Sequence, residues 1–159
     1  MAFLVLPLIT VLFWVGLSTQ AWQLAEAVPG AGQAGRMASL AQVSAQRAEM
    51  FSAACISTAS SNPGVVSSSM TVTLPAGVTL PAGAVCMTTA GTGNSRNVYG
   101  YVPVAPGAMG RVLTDSQYNA MWHRVQSAGQ AINLATGQTV AVPASIPTGV
   151  LLAWVQTSS

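Results

Sequence analysis

Six side chains in this sequence could take part in acid–base, nucleophilic or metal chemistry. They are Glu26, Glu49, Asp115, His123, Cys55 and Cys86. Asp115 and His123 lie eight residues apart and, with one of the many serines, could form a Ser/His/Asp site, but no G-x-S-x-G nucleophile elbow is present. Strand alternation would place His123 on the face opposite Trp122 and Arg124, which favours a surface or packed histidine. We therefore predict that the chain is not an enzyme.

The two cysteines leave two alternatives, a disulfide or a pair of buried free thiols. Even with His123 they supply three ligands and no C-x-x-C spacing, which is too few for a structural zinc site. A bond between Cys55 and Cys86 would close a loop of about thirty residues and stabilise the fold by roughly 3–4 kcal/mol. We predict no metal and no other cofactor.

Nucleotide and nucleic-acid binding are both disfavoured. Residues Gly30 to Gly35 match the G-x-G-x-x-G string of dinucleotide-binding folds, but that motif requires a preceding strand and a βαβ unit. Here the string follows an apolar segment of the membrane type. The positive charge is dispersed rather than clustered, which is not the pattern of a phosphate-binding surface. It comes from five arginines and no lysine, at positions Arg36, Arg47, Arg96, Arg111 and Arg124.

The N-terminal segment predicts a membrane anchor. Of the 159 residues, 51% are hydrophobic and 5% are charged, against about 25% charged in an average soluble domain. Residues 2–17 carry no charge, and a helix continuing to Trp22 approaches the roughly 30 Å of a bilayer core. We predict a single-pass membrane protein. Residues 1–28 form the anchor and juxtamembrane helix, 29–35 a Gly-rich hinge, and 36–159 a periplasmic domain.

Two other kinds of leader are alternatives to this anchor. A cleaved secretory signal would use Ala25-Glu26-Ala27 as its small-x-small site, but the segment before the apolar stretch has no basic residue. A type IV prepilin leader would need a short basic leader and a Glu at the fifth mature position. Pro7 occupies that position when the count starts at Phe3, so the prepilin pattern is not matched.

Helical spacing predicts a long second helix from about Gln33 to Ser60, ended by Asn62-Pro63-Gly64. Its apolar stripe is interrupted only by Ser44. We expect the stripe to pack on the domain's own sheet, and a partner-helix or dimer seam in a homo-oligomer is the alternative. The stripe consists of Met37, Leu40, Ala41, Ala48, Phe51 and Cys55.

Beyond Val65, short β-branched runs separated by Pro and Gly predict an antiparallel sheet. A short helix is expected within Gly107 to Thr114. The fold class is thus α+β, with an N-terminal transmembrane helix and a long amphipathic helix packed on a small antiparallel sheet, as in the head of a pilin. The strands are expected at Met70–Leu74, Ala84–Thr89, Asn97–Val102, Met121–Gln126, Ala131–Leu134, Thr139–Val142 and Val150–Val155.

Five aromatic residues could form a platform for a ligand or glycan, but they are better explained as sheet and core residues. Tyr99 and Tyr101 are two apart and so share one face of a strand, with Val98 and Val102 on the other. The five are Tyr99, Tyr101, Tyr118, Trp122 and Trp154.

The order of several short motifs resembles the PilM family of plasmid-type thin pili, a group distinct from the actin-like cytoplasmic protein of the same name. After the apolar N-terminus and the long helix come Thr73-Leu74-Pro75, Asn97-Val98-Tyr99-Gly100-Tyr101, Gly110-Arg111-Val112-Leu113 and Ile146-Pro147-Thr148-Gly149-Val150-Leu151. The duplicated stretch from Leu74 to Val85 is not expected in that family.

The resemblance implies a non-enzymatic component of a type IVB pilus assembly or pilin export apparatus, a machinery associated with conjugation. The protein would be anchored by a single span in the bacterial inner membrane, as a periplasm-facing scaffold whose partners are other pilus assembly proteins. The first alternative is a minor pilin or pseudopilin within the fibre. The second is a secreted binding domain or hydrolase with a cleaved signal peptide.

Overall fold

The computed structural model describes residues 32–158. The predicted membrane anchor lies outside this range. Among the described residues, no helix combines the length and apolar character needed to cross a bilayer. The chain divides into two compact units, Met1–Ser39 and Leu40–Ser159. The described part of the first is 32–39, where a helix begins at Gln33, so the last three residues of the predicted hinge are helical.

The second unit contains seven strands and two helices. Helix α1 spans Gln33–Ser61 and continues from the first unit, and helix α2 spans Ala108–Asp115. This confirms the predicted α+β class. The strands are β1 (Ser67–Met70), β2 (Val85–Ala90), β3 (Ser95–Val102), β4 (Trp122–Ser127), β5 (Gln130–Asn133), β6 (Thr139–Ala141) and β7 (Leu151–Ser158).

All strand pairs are antiparallel, and the order across the sheet is β1-β2-β3-β7-β4-β5-β6. The C-terminal strand β7 is therefore central, pairing with β3 on one side and β4 on the other. Both outer strands are short, with four residues in β1 and three in β6, and the register of β1 shifts along its length.

The first strand lies upstream of its predicted position at Met70–Leu74. The Thr88 hydroxyl donates to the Val65 carbonyl oxygen and accepts from the Ser67 amide, which pairs the earlier residues with β2. Pro75 cannot donate a backbone hydrogen bond, so the segment between β1 and Pro75 does not extend the sheet. Val72 and Leu74 still pack against the core, but without strand pairing.

Helix α1 covers one face of the sheet, where Phe51, Cys55 and Ala48 are buried against Val98 and other strand residues. A Cβ on Gly100 would lie 3.4 Å from the Cys55 Sγ atom, an ordinary van der Waals contact, so the helix packs directly over β3 at this position. Ser44, which interrupts the apolar stripe, accepts a hydrogen bond from the Ala105 amide at 2.9 Å.

Cys55 and Cys86 are joined by a disulfide bond, with their Cα atoms 5.5 Å apart. The bond links α1 to β2 beneath the sheet, and both residues belong to the helix-side core. Of the two alternatives that the sequence left open, the structure has the disulfide.

A second apolar cluster occupies the opposite face, which we call the outer face of the sheet. It contains Met87, Tyr99, Val125 and Leu152, and Ile146 from the loop before β7 covers part of it. Tyr99 lies here while Val98 lies on the helix side, as strand alternation predicts.

Candidate functional site

His123 lies on the outer face and has both ring nitrogens engaged. Its Nδ1 is 2.9 Å from the Met121 carbonyl oxygen, which can only accept, so Nδ1 carries the proton. Its Nε2 is then free to accept from the Asn133 amide nitrogen at 3.2 Å. The side chain is 3% exposed, and burial lowers the pKa of His123, partly opposed by the backbone hydrogen bond to Met121. This neutral, saturated imidazole has no nitrogen left to accept a proton from a nucleophile.

The stability of the domain should fall as the pH is lowered from 7 to 5. Because the pKa of His123 in the folded state is below that of the unfolded chain, near 6.5, the unfolded state binds the proton first. The contribution of His123 to stability is fully present above its pKa in the unfolded chain. It is lost as the pH falls toward its pKa in the folded state, at no more than about 1.4 kcal/mol per pH unit. Urea unfolding at stepped pH measures the slope.

Two variants isolate this effect. His123→Gln should remove the dependence between pH 7 and 5. Glu49 acts in the opposite direction because its pKa is raised, by burial first and the nearby Asp115 second, so folding favours its protonated form. The measurement is therefore made in a Glu49→Gln background. An unchanged slope in His123→Gln would show that another group causes it.

Asp115 does not lie near His123. It ends helix α2, whose buried residues Ala108 and Val112 pack in the helix-side core. It raises the pKa of Glu49 on α1, whereas His123 faces the other side of the sheet, beside Trp154. The Asp/His pair considered from the sequence is thus not brought together. Among the described residues, no group of three or more His, Cys, Asp or Glu side chains could hold a metal ion.

A row of rings runs across three central strands on the outer face. The rings of Tyr99 on β3 and Trp154 on β7 are stacked, with centroids 6.1 Å apart. His123 on β4 is 5.5 Å from Trp154 in a tilted arrangement. The Trp154 indole N–H donates to the Asn97 side-chain oxygen at 3.1 Å. Trp154 is thus held in place, and the residue as a whole is half-buried.

An open pocket of about 450 Å³ lies beside Trp154, within the range of small-ligand sites. Four of its lining side chains are polar, none is a carboxylate, lysine or arginine, and burial lowers the pKa of His123. The lining residues are Asn119, Ala120, Met121, His123, Asn133, Val140, Trp154, Val155 and Gln156.

The loop between α2 and β4 supplies one wall of the pocket and has an unusual backbone. The Tyr118 amide donates to Leu113 O and the Gln117 amide to Thr114 O, a Schellman ending. That motif explains the positive φ of Gln117, at 54°, where glycine is usual. It does not explain the φ of 59° at Tyr118, a bulky residue in the left-handed region. Tyr118 is exposed and directly precedes Asn119.

Helix α1 carries exposed apolar side chains away from the sheet. Leu40, Val43 and Met50 are 64%, 45% and 37% exposed. With Arg47 they recur at spacings of three and four, so they share one side of the helix. We call these four residues the α1 outer face. The Arg47 side chain has no hydrogen bond or ion pair with any described residue.

The predicted stripe on α1 is divided by the structure. Ala41, Ala48 and Phe51 are buried and pack within the protein, whereas Met37 and Leu40 are exposed. Val43 and Met50 were not part of the predicted stripe, although their spacing from Leu40 could have shown the second apolar side. Asn119, Asn133 and Gln156 were also missed as pocket residues, because single amides in a sequence give no such signal.

No protein-family model matches this sequence, and no protein with a curated description matches it. Its fold is similar to the crystal structure of a protein from Escherichia coli B7A that carries the provisional name PilM. The TM-score is 0.52 at 20% sequence identity, over 76% of this chain and 94% of that one. At this identity the similarity shows a shared fold.

Proposed function

We propose that this chain is a non-enzymatic, membrane-anchored scaffold in the assembly apparatus of a type IVB pilus, with its α+β domain in the periplasm. The observation that carries the proposal is the shared fold with the protein named PilM, which agrees with the motif order in the sequence. The uncharged residues 2–17 support the anchor. The saturated His123 and its separation from Asp115 favour a binding role over hydrolysis.

The α1 outer face is the surface that we assign to the partner. Leu40, Val43 and Met50 would each bury apolar area against a partner, worth about 25 cal/mol per Å² before the costs of association. Arg47 lies among them, and its side chain has no counter-charge among residues 32–158. A second copy would bring an arginine of its own to this narrow face, whereas an amphipathic helix with a central acidic residue would neutralise Arg47. The partner is therefore a different protein with such a helix.

The sheet edges are less suitable for this contact. β1 and β6 have four and three residues, so an added strand would form few hydrogen bonds. The side chains of α1 present a longer surface, at 1.5 Å per residue over the eleven residues from Leu40 to Met50.

Val43→Glu is expected to abolish piliation in the bacterium that encodes this chain, because it places a charge in the apolar contact. The variant should fold normally, since substitutions of exposed residues usually change stability by less than about 0.5 kcal/mol. Val66→Glu is the matched control, because this valine is 58% exposed and lies outside α1. Electron microscopy counts the pili, and circular dichroism of the purified variants checks folding.

The outcomes separate the parts of the proposal. Normal pili in a deletion strain would exclude the pilus role, and a deletion defect with normal pili in Val43→Glu would exclude only the α1 outer face. A cleavable signal in place of residues 2–22 should abolish function and leave the domain folded. Sheared filaments should lack the protein, and its presence there would favour a minor pilin.

A further inference from the structure

We propose that the pocket beside Trp154 binds an uncharged saccharide, with the half-exposed indole packing on a sugar ring and the amides of Asn119 and Gln156 bonding its hydroxyl groups. This inference is independent of the scaffold role. It rests on the outer face of the sheet, which is opposite the face covered by α1.

The polar groups at the base of the pocket are already satisfied. The Asn133 amide nitrogen donates to Ala120 O and contacts His123 Nε2, while its oxygen accepts from the Ala135 and Thr136 amides. The base is therefore rigid and has no hydrogen-bonding capacity left for a ligand. This also fixes the backbone of Ala120, in the wall that the α2–β4 loop forms.

The hydrogen-bonding capacity that remains for a ligand lies in two side-chain amides. The Asn119 side-chain oxygen accepts from the Met121 amide at 3.0 Å, which leaves its NH₂ group unused among the described residues. The Gln156 side chain is exposed and has no hydrogen-bond partner in the same range. An amide both donates and accepts, as a hydroxyl group does. An ionic ligand would instead find no opposite charge here.

The shape of the pocket selects among uncharged ligands. An apolar ligand would require an enclosed site that removes most of its surface from water, whereas this pocket is open. A sugar ring has an apolar face for Trp154 and keeps its outer hydroxyl groups in water. Asn97 and Tyr99 hold the indole in place before a ligand arrives, which lowers the entropic cost of binding.

The strained backbone at Tyr118 is a second, separate indication. A bulky residue with a positive φ costs of order 1–3 kcal/mol and persists where the surrounding structure over-determines it, often at ligand sites. Here the left-handed residue exposes an aromatic ring directly before Asn119. The strained backbone thus lies in the loop that contributes Asn119 to this edge of the pocket.

The test uses the full chain in a polyoxyethylene detergent, since detergents with sugar headgroups would compete. The chain has four tryptophans, and loss of one indole NMR signal in Trp154→Phe assigns the Trp154 signal. Chitotriose and maltotriose should each be titrated to about 20 mM. We expect at least one to shift this signal in a saturable manner, with a Kd on the order of 1 mM.

The variants identify the contacts. Gln156→Ala should raise the Kd about three- to tenfold, the effect of one net hydrogen bond. Gln130→Ala is the matched control, an exposed strand glutamine outside the pocket, and should change the Kd less than twofold. Trp154→Leu should abolish binding with the strand signals of β3 and β7 retained.

Three results would overturn the proposal. They are no saturable shift with either sugar, equal effects of Gln156→Ala and Gln130→Ala, and displacement of the bound sugar by a lower concentration of an uncharged apolar peptide. None of them affects the α1 outer face, so failure here is distinguishable from failure of the scaffold proposal.

Discussion

Replacing Arg96 by methionine is expected to lower the free energy of unfolding by about 3 kcal/mol or more. Arg96 is 1% exposed and donates from one nitrogen to Asn62 O at 2.6 Å and Val65 O at 2.9 Å, and from another to Ala59 O. These carbonyls belong to the end of α1 and the turn after it. Methionine preserves the apolar stem but removes three hydrogen bonds from a charged donor and a cation from the negative end of the helix dipole, while Ala59 O still accepts from the Asn62 amide.

Two further variants test whether the capping hydrogen bonds are responsible. Arg96→Lys retains the charge but not the planar fork, so its loss should be intermediate. Arg124→Met removes an exposed arginine from β4 and should change stability by less than about 0.5 kcal/mol. Urea unfolding followed by near-ultraviolet circular dichroism gives the three values. Equal losses for the Arg96 and Arg124 variants would contradict the capping role.

Reduction of the disulfide between Cys55 and Cys86 is expected to cost about 3–4 kcal/mol. The two residues are 31 apart in sequence, and closing a loop of that length lowers the entropy of the unfolded chain by a corresponding amount. The comparison is made between oxidised and reduced wild-type protein, so that no atom other than the two thiol hydrogens changes. Urea unfolding with and without a strong reductant measures the difference.

The double variant Cys55→Ala, Cys86→Ala provides the control. Its stability should be low in both conditions and insensitive to the reductant, because no bond remains to be reduced. A wild-type protein with the same unfolding midpoint in both conditions would mean that native-state strain cancels the entropic gain.

Much of the secondary structure followed from local signals. The turn at Asn62-Pro63-Gly64 ends α1, and the alternation at Val98 to Val102 divides β3 between the two cores. The misplaced first strand shows the limit of such signals. Thr71 to Leu74 has strong β propensity, but the hydroxyl of Thr88, distant in sequence, pairs earlier residues with β2. Propensity contains no information about such a partner.

The interior polar groups were harder to predict. Arg96 is one of five dispersed arginines, and arginine is seldom buried, so nothing marked it as the cap of a helix that ends 35 residues earlier. The pocket likewise requires the pairing of β7 with β4, which brings Trp154 to His123. The order of strands in a sheet is a property of the whole chain rather than of any one segment.

The shortness of the outer strands has a consequence for behaviour at high concentration. Fibrils of the cross-β type grow when a long, flat edge adds identical strands one after another. Within residues 32–158 one outer strand, β1, has only four residues and an irregular register, and the other, β6, has three residues. A neighbouring copy could therefore form few backbone hydrogen bonds with either outer strand. Dense local crowding should therefore leave this domain free of amyloid.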